Sequence, residues 1–428
     1  MTIPDQGDPS ASGGTTPPAP ASDDLARGRT FESLSVPNYR KFFGGQAVSL
    51  AGTWMQSVAM AWLVLQLTGS PTWLGLVIAL QTLPILLLGP YAGVLIDRVD
   101  KRRLLVSTQT AAALQALLLG VLTVRGDITV AWVLLLSVAL GLVNTLDNPA
   151  RQSFVREMVP GPLVRNAVTL NSVVVNASRA VGPALGGVLI AVVGVGTCFL
   201  VNAVSFVAVI AAYLAMDAAA LRPSAPTPRA PGQLRDGLAY VRRTRDLFIP
   251  LCMMAMVGTL TYEFQVSLPA LATDTFHGGA TSLGWITSAM GVGAVVGGLI
   301  SASRRATGIG PLVVSATAFG AATLLTAVSP SLPVAAASLL LVGAASVWFL
   351  SLGNATLQMT AAPQMRGRVM ALWAVAFLGT TPIGGPLVGA IAEHLSPRWA
   401  LGAGAAAAFA AAALGASVLR RTTRSVPR

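Results

Sequence analysis

The sequence predicts an all-α membrane protein of twelve transmembrane helices arranged as two six-helix bundles. Three observations carry this. Of 428 residues, 54% are hydrophobic and only 10% are charged, against about 25% charged in an ordinary soluble domain. The apolar residues gather into twelve runs, each near the roughly 20 residues that cross a bilayer. The cations collect in alternate connections between those runs.

The runs are 42–67, 73–96, 104–124, 129–147, 168–193, 197–216, 248–272, 283–302, 309–328, 332–353, 369–392 and 399–419. With both termini on one side, 25 of the 28 Lys and Arg residues fall on that side. Arg125 and Arg398 fall on the other, and Arg179 lies inside a run. The positive-inside rule then makes the side of the termini cytoplasmic, in a multi-pass protein of the inner membrane.

The net charge of +12 is spread over many short loops, which argues against a nucleic-acid partner. Cys198 and Cys252 both sit in apolar runs, and His277 and His394 are far apart, so neither a disulfide framework nor a metal is suggested. No cofactor is expected. No Walker motif is present, which leaves ATP without a site.

Residues 1–35 are rich in Pro, Ser, Thr, Gly and Asp and read as a disordered cytoplasmic tail. Residues 36–216 form the first bundle and 248–419 the second, with 420–428 a cytoplasmic tail. The connection 217–247 opens Pro-rich and closes with LRDGLAYVRRTRDL. That stretch puts Leu234, Leu238 and Val241 on one face of a helix lying at the surface. The halves echo one another: Asn144 and Gly182-Pro183 in the first correspond to Asn354 and Gly385-Pro386 in the second.

Between the second and third runs stands GVLIDRVDKRR, residues 93–103. Gly93, Asp97, Arg98, Lys101 and Arg102 match the spacing of the signature loop of the major facilitator superfamily, which the chain resembles. Val99 and Asp100 fill the turn where that family carries a Gly. Three further stretches, WLVLQLTGSP at 62–71, DNPARQSFVREMVP at 147–160 and LVRNAVTLNSVVVNASRAVGPALGG at 163–187, resemble its enterobactin-exporter-like branch, the transmembrane secretion effectors. The likeness covers nearly the whole chain after residue 33. It implies two six-helix repeats about an axis along the membrane normal, with the first, fourth, seventh and tenth helices around a central cavity. It also implies that Asp147 pairs with signature-loop cations. Asp97, Asp147 and Arg151 are therefore expected, with the loop, in a cytoplasmic gate.

Gly182, Pro183, Gly186 and Gly187 resemble half of the fifth-helix motif of exporters in this superfamily. Small residues let helices approach, and Pro183 leaves one carbonyl without its helical donor. The Asn148-Pro149 pair reads as a stop for the fourth helix.

Two charges lie deep in the apolar runs. Arg179 stands about 16 Å into the fifth helix, above a stripe of Thr169, Ser172 and Asn176. Glu263 stands about 22 Å into the seventh, which Pro269 is expected to interrupt. Intramembrane ionisable residues are costly and mark pathways, so these two are the candidates for proton coupling. Gln46, Thr53, Trp54, Gln56, Asn144, Asn176, Tyr262 and Asn354 are expected to line the cavity. Aromatic and amide groups with few charges suit amphipathic organic molecules. The reading is a secondary transporter exporting a drug or siderophore against protons, working as a monomer in the bilayer. The alternatives are a nutrient importer and, more remotely, a membrane-embedded sensor or enzyme.

Overall fold

The computed structural model describes residues 31–96, 98–222, 233–303 and 307–424. Twelve of its helical segments are long and apolar enough to cross a membrane. The first half contains α1 (Pro37–Thr68), α2 (Pro71–Ile96), α3 (Lys101–Arg125), α4 (Val130–Met158), α5 (Val164–Val193) and α6 (Val195–Leu214). A connecting helix, α7 (Gln233–Arg243), follows. The second half contains α8 (Arg245–Leu260), α9 (Phe264–Ala270), α10 (Ala280–Ser303), α11 (Ile309–Ala327), α12 (Leu332–Thr360), α13 (Arg366–Leu378), α14 (Thr381–His394) and α15 (Pro397–Arg424). Its first span comprises α8, α9 and a π turn over Leu271–Thr275, and its fifth comprises α13 and α14. Twelve crossings bring the first and last described helices to the same end of the molecule, the terminal end; the opposite end is distal.

Local chemistry sets the helix ends. Pro37 starts α1, where its missing N–H costs nothing, and Gly69 closes it in the left-handed region at φ 62°. Asp100 caps α3 by accepting the Arg103 N–H at 3.0 Å. Between the caps the helices bury one side and leave the other to lipid: Leu87, Val192, Val204 and Leu299 are exposed apolar side chains of that outer belt.

Several boundaries differ from expectation. The fourth helix does not stop at residue 147. It continues through Pro149 to Met158, because its last two turns bury Phe154, Val155 and Met158, and that burial outweighs the bond lost at proline. Most of the tail expected over residues 1–35 lies outside the described residues, but Glu32–Ser35 form a 3₁₀ turn. Its Ser33 N–H donates to Asn166 Oδ1 at 3.0 Å. The helix expected in the connection is present as α7, docked on protein. Val241 is buried, and the Tyr240 hydroxyl accepts the Ala362 N–H at 3.2 Å, while Leu238 is exposed. The side chain of Leu234 lies outside the described residues.

Helices α1–α6 pack on one another, as do α8–α15, and the two sets meet along two seams, α5 against α10 and α2 against α14. Both seams are built on glycine. A methyl group added at Gly284 of α10 would stand 2.6 Å from the Pro183 carbonyl oxygen, and one at Gly187 of α5 would stand 2.7 Å from that of Ala280. One at Gly389 of α14 would stand 2.8 Å from Thr72 Cα, and one at Gly385 2.9 Å from the Gly75 carbonyl oxygen. Backbone therefore touches backbone. Gly187 and Gly389 lie near the distal ends of their helices, so the halves are closed on each other there.

Candidate functional site

Two adjoining cavities, one lined by the first half apart from Gln265 and the other lying between the halves, share Trp54, Ser57, Ala61, Ile78, Gln81 and Gln265. One, of about 210 Å³, is amide-rich and reaches Asn144, Asp147, Asn148 and Arg151 toward the terminal end of α4. The other, of about 330 Å³, is walled by Trp54, Tyr262, Phe264, Leu268, Met290, Leu350 and Phe377, with Arg179 and Glu263 among its lining residues.

Glu263 occupies a break in the seventh span. Helix α8 ends at Leu260, where the N–H groups of Thr261 and Tyr262 both reach the Val257 carbonyl, and α9 starts at Phe264 with Glu263 at its N-cap. The interruption was expected at Pro269. It falls six residues earlier, and Pro269 lies buried inside the short helix α9. The eleventh span is also broken, between Leu378 and Thr381. The two breaks adjoin: Thr381, the first residue of α14, hydrogen-bonds the Glu263 carboxyl, and a methyl at Gly384 would stand 3.0 Å from Glu263 Oε1. The first turn of α14 thus lies against one buried carboxyl. Its Oε1 has no hydrogen-bond partner, and the residue is 3% exposed.

Arg179 stacks over the Trp54 ring at 4.8 Å from the centroid, a cation–π arrangement. Its Nε is buried without a partner. The polar stripe beneath it does not serve it. Thr169 and Ser172 donate to the Arg165 and Val168 carbonyls, and Asn176 Nδ2 donates to the Ser172 carbonyl, all within α5. Among the described residues no acid lies within 4.0 Å of the Arg179 nitrogens. Arg179 and Glu263 therefore share a cavity without forming an ion pair.

The expected lining residues separate into three sets. Thr53, Trp54 and Asn144 line the amide-rich cavity, and Tyr262 the apolar one, where its hydroxyl donates to the Ser346 carbonyl at 2.6 Å. Gln46 and Gln56 border the cavity but are held in buried networks. Gln46 donates to the Tyr213 hydroxyl at 3.0 Å, and Gln56 accepts from Asn202 Nδ2 at 2.7 Å. Asn176 and Asn354 line neither cavity; Asn354 Oδ1 accepts from Gln358 on its own helix. Gln265, exposed and common to both cavities, was missed. Its place between an acid and a proline in an apolar run was the available signal.

The signature loop works differently from expectation. Lys101 Nζ meets Glu157 Oε1 at 2.6 Å in a buried ion pair between the start of α3 and the end of α4. Arg102 caps the end of α6 through the Tyr213 and Leu214 carbonyls at 2.7 and 2.8 Å. Arg98 is exposed, Gly93 is half-buried, and Asp97 lies outside the described residues. Asp147 makes no ion pair with these cations; its partners lie on α3 and on its own helix. It accepts from Thr108 Oγ1 at 2.8 Å and Gln109 Nε2 at 2.7 Å and stands 3.6 Å from Arg151 Nε.

The fifth-helix motif faces two ways. Gly182 and Gly186 abut α1, where a methyl at Gly182 would stand 2.7 Å from the Ala51 carbonyl oxygen. Pro183 and Gly187 face α10. The carbonyl that Pro183 leaves without its helical donor is that of Arg179, four residues back. A methyl at Gly291 of α10 would stand 2.7 Å from its oxygen.

Comparison with known proteins agrees with this architecture. Residues 29–426 match the family model described as transmembrane secretion effector. The chain is 30% identical over 360 residues to the multidrug efflux pump Tap of Mycolicibacterium fortuitum, covering 80% of this chain and 86% of that one. It is 25% identical over 262 residues to the staphyloferrin A transporter of Staphylococcus aureus, covering 60% of this chain and 65%, just under two thirds, of the other. A bacterial homolog of the human lysosomal transporter Spinster superposes with a TM-score of 0.67 at 13% identity, over 89% of this chain and 94% of that one. The nucleoside transporter NupG superposes with a TM-score of 0.70 at 12% identity, over 90% and 99%. The fold and family are those of membrane transporters and not of enzymes. A match running from residue 29 to residue 426, over twelve spans closed on glycine seams, places this chain in the transmembrane secretion effector family of the major facilitator superfamily.

Proposed function

We propose that this chain is a secondary active exporter of amphipathic small molecules, coupled to protons and working by alternating access in the cytoplasmic membrane. The observation that carries the reading is Glu263, a buried carboxyl at the junction of two broken helices on the wall of the central cavity. Thr381 at the start of α14 hydrogen-bonds the carboxyl, while its Oε1 has no partner. Such a group changes protonation when the cavity changes the side it faces. The mostly apolar walls around it suit an organic body. The cation count supports a cytoplasmic terminal end, and on that reading a molecule closed at its distal end is inward-facing. We propose that Gly93, Asp97, Arg98, Lys101 and Arg102 of the signature loop, with Asp147 and Arg151, close the terminal end in the opposite state.

The test is transport in everted membrane vesicles with an imposed inward-acidic gradient. An exporter accumulates a fluorescent amphiphile such as ethidium or Hoechst 33342 in the lumen, and collapse of the gradient releases it. Accumulation only under the opposite gradient makes the protein an importer.

A further inference from the structure

The wider cavity holds one basic and one acidic side chain that leave each other unpaired. Arg179 stacks its guanidinium on Trp54 with its buried Nε unbonded, and the buried Oε1 of Glu263, packed toward Gly384, is also unbonded. Both line the same space of about 330 Å³, between aromatic and aliphatic walls from Trp54, Tyr262, Leu268 and Phe377. A buried charge left without a partner is costly, and removing water from it without replacing the interaction costs more still. A neutral occupant would desolvate both groups and compensate neither. A cation would answer Glu263 alone, and an anion Arg179 alone.

From this pairing we propose that the cavity selects zwitterionic amphiphiles. The anionic group of the substrate docks on Arg179, the cationic group docks on Glu263, and the apolar body lies between them against the aromatic walls. The proposal rests on reading this cavity as the substrate site, and it narrows the substrate class beyond "amphipathic". It also gives coupling a chemical form: a substrate cation on Glu263 takes the place a proton would occupy.

The test uses one aromatic body in four charge forms: 3-(2-naphthyl)alanine as zwitterion, its methyl ester as cation, its N-acetyl derivative as anion, and the N-acetyl methyl ester as neutral form. Binding to the purified full chain in detergent is measured by equilibrium dialysis near neutral pH. A hydrogen bond to a buried charged group is worth enough for about a tenfold change in affinity. The zwitterion is therefore expected to bind about tenfold or more tightly than the ester and the N-acetyl form. Arg179→Gln should remove the advantage over the ester but keep that over the N-acetyl form, and Glu263→Gln should do the reverse. The neutral form should bind both variants at least as tightly as the parent, because one uncompensated charge has gone, and this controls for folding. If a variant loses the neutral form too, Arg179→Lys and Glu263→Asp replace it and should keep part of each advantage. Equal binding of zwitterion and either singly charged form, or advantages unchanged in the variants, overturns the proposal. Failure here leaves the vesicle result standing, because that experiment reads direction and this one reads charge recognition.

Discussion

Glu393, at the distal end of α14, accepts hydrogen bonds from the Ser70 hydroxyl and from the Thr72 N–H in the first turn of α2. One half of the molecule therefore caps a helix of the other. A cap of this kind is worth about 1 kcal/mol, or roughly a fivefold change in an equilibrium. Glu393→Gln should shift the resting molecule toward distal opening by about that factor. A cysteine at Val347 in the cavity wall, in a Cys198→Ser, Cys252→Ser background, should then react correspondingly faster with an impermeant maleimide added from outside. An unchanged rate would confine Glu393 to local capping.

The glycine seam gives a stronger version of the same shift. Gly284→Leu places a side chain where the Pro183 carbonyl and Gly187 Cα now stand, at 2.6 and 3.0 Å from a Cβ. Overpacking of this kind costs about 1–3 kcal/mol. The variant should reach the membrane, lose transport, and keep Val347→Cys reactive from outside. Protection of that cysteine equal to the parent's would mean that the seam is not the distal closure.

The Lys101–Glu157 pair makes a prediction about stability. Glu157→Gln leaves a buried ammonium without its counter-charge, and breaking such a pair costs about 3–5 kcal/mol. Thermal unfolding in detergent should fall markedly for the single variant. Lys101→Met combined with Glu157→Leu should recover most of the loss, since both charges leave together. A single variant as stable as the parent would mean that water reaches the pair.

Coupling is read from Glu263→Gln, which keeps the shape of the side chain and removes its titration. Uphill accumulation in everted vesicles should vanish, while downhill exchange of the same dye continues. A variant that still concentrates dye moves the coupling group elsewhere.

Orientation can be checked from outside intact cells. In the same cysteine-free background, Gly279→Cys should label, because Gly279 lies exposed at the distal end with open space around it. Ala220→Cys, exposed at the terminal end, should not. The reverse pattern inverts the topology.

The twelve spans were legible because length and apolarity alone determine what crosses a bilayer. Gly182, Pro183, Gly186 and Gly187 were legible because small residues in an apolar helix have few other uses. The breaks in the seventh and eleventh spans were not. Thr261, Glu263 and Gln265 in one span and Gly379, Thr380 and Thr381 in the other mark the two places, but isolated polar residues and Gly also occur inside continuous membrane helices, so they do not by themselves announce a break. Glu157 escaped notice because its partner Lys101 lies 56 positions away and sequence alone does not join them. Glu393 sat at the rim of an apolar run, where an acid reads as a solvated end. Asp147 was recognised as important and given the wrong partners, because Thr108 and Gln109 are unremarkable in sequence and become its ligands only when α3 packs on α4.

The seams carry a last consequence, which is entropic. Freezing a Leu or Ile side chain in a closed interface costs about 0.5–1 kcal/mol of rotamer freedom, and a Met about twice that. Gly75, Gly187, Gly284, Gly385 and Gly389 have no rotamers to freeze. A joint of bare backbone can meet and part with little change in side-chain disorder, so neither position becomes a deep well by that route. A machine that must visit two shapes on every cycle needs them nearly level. Here that levelness is written into residues with no side chain at all.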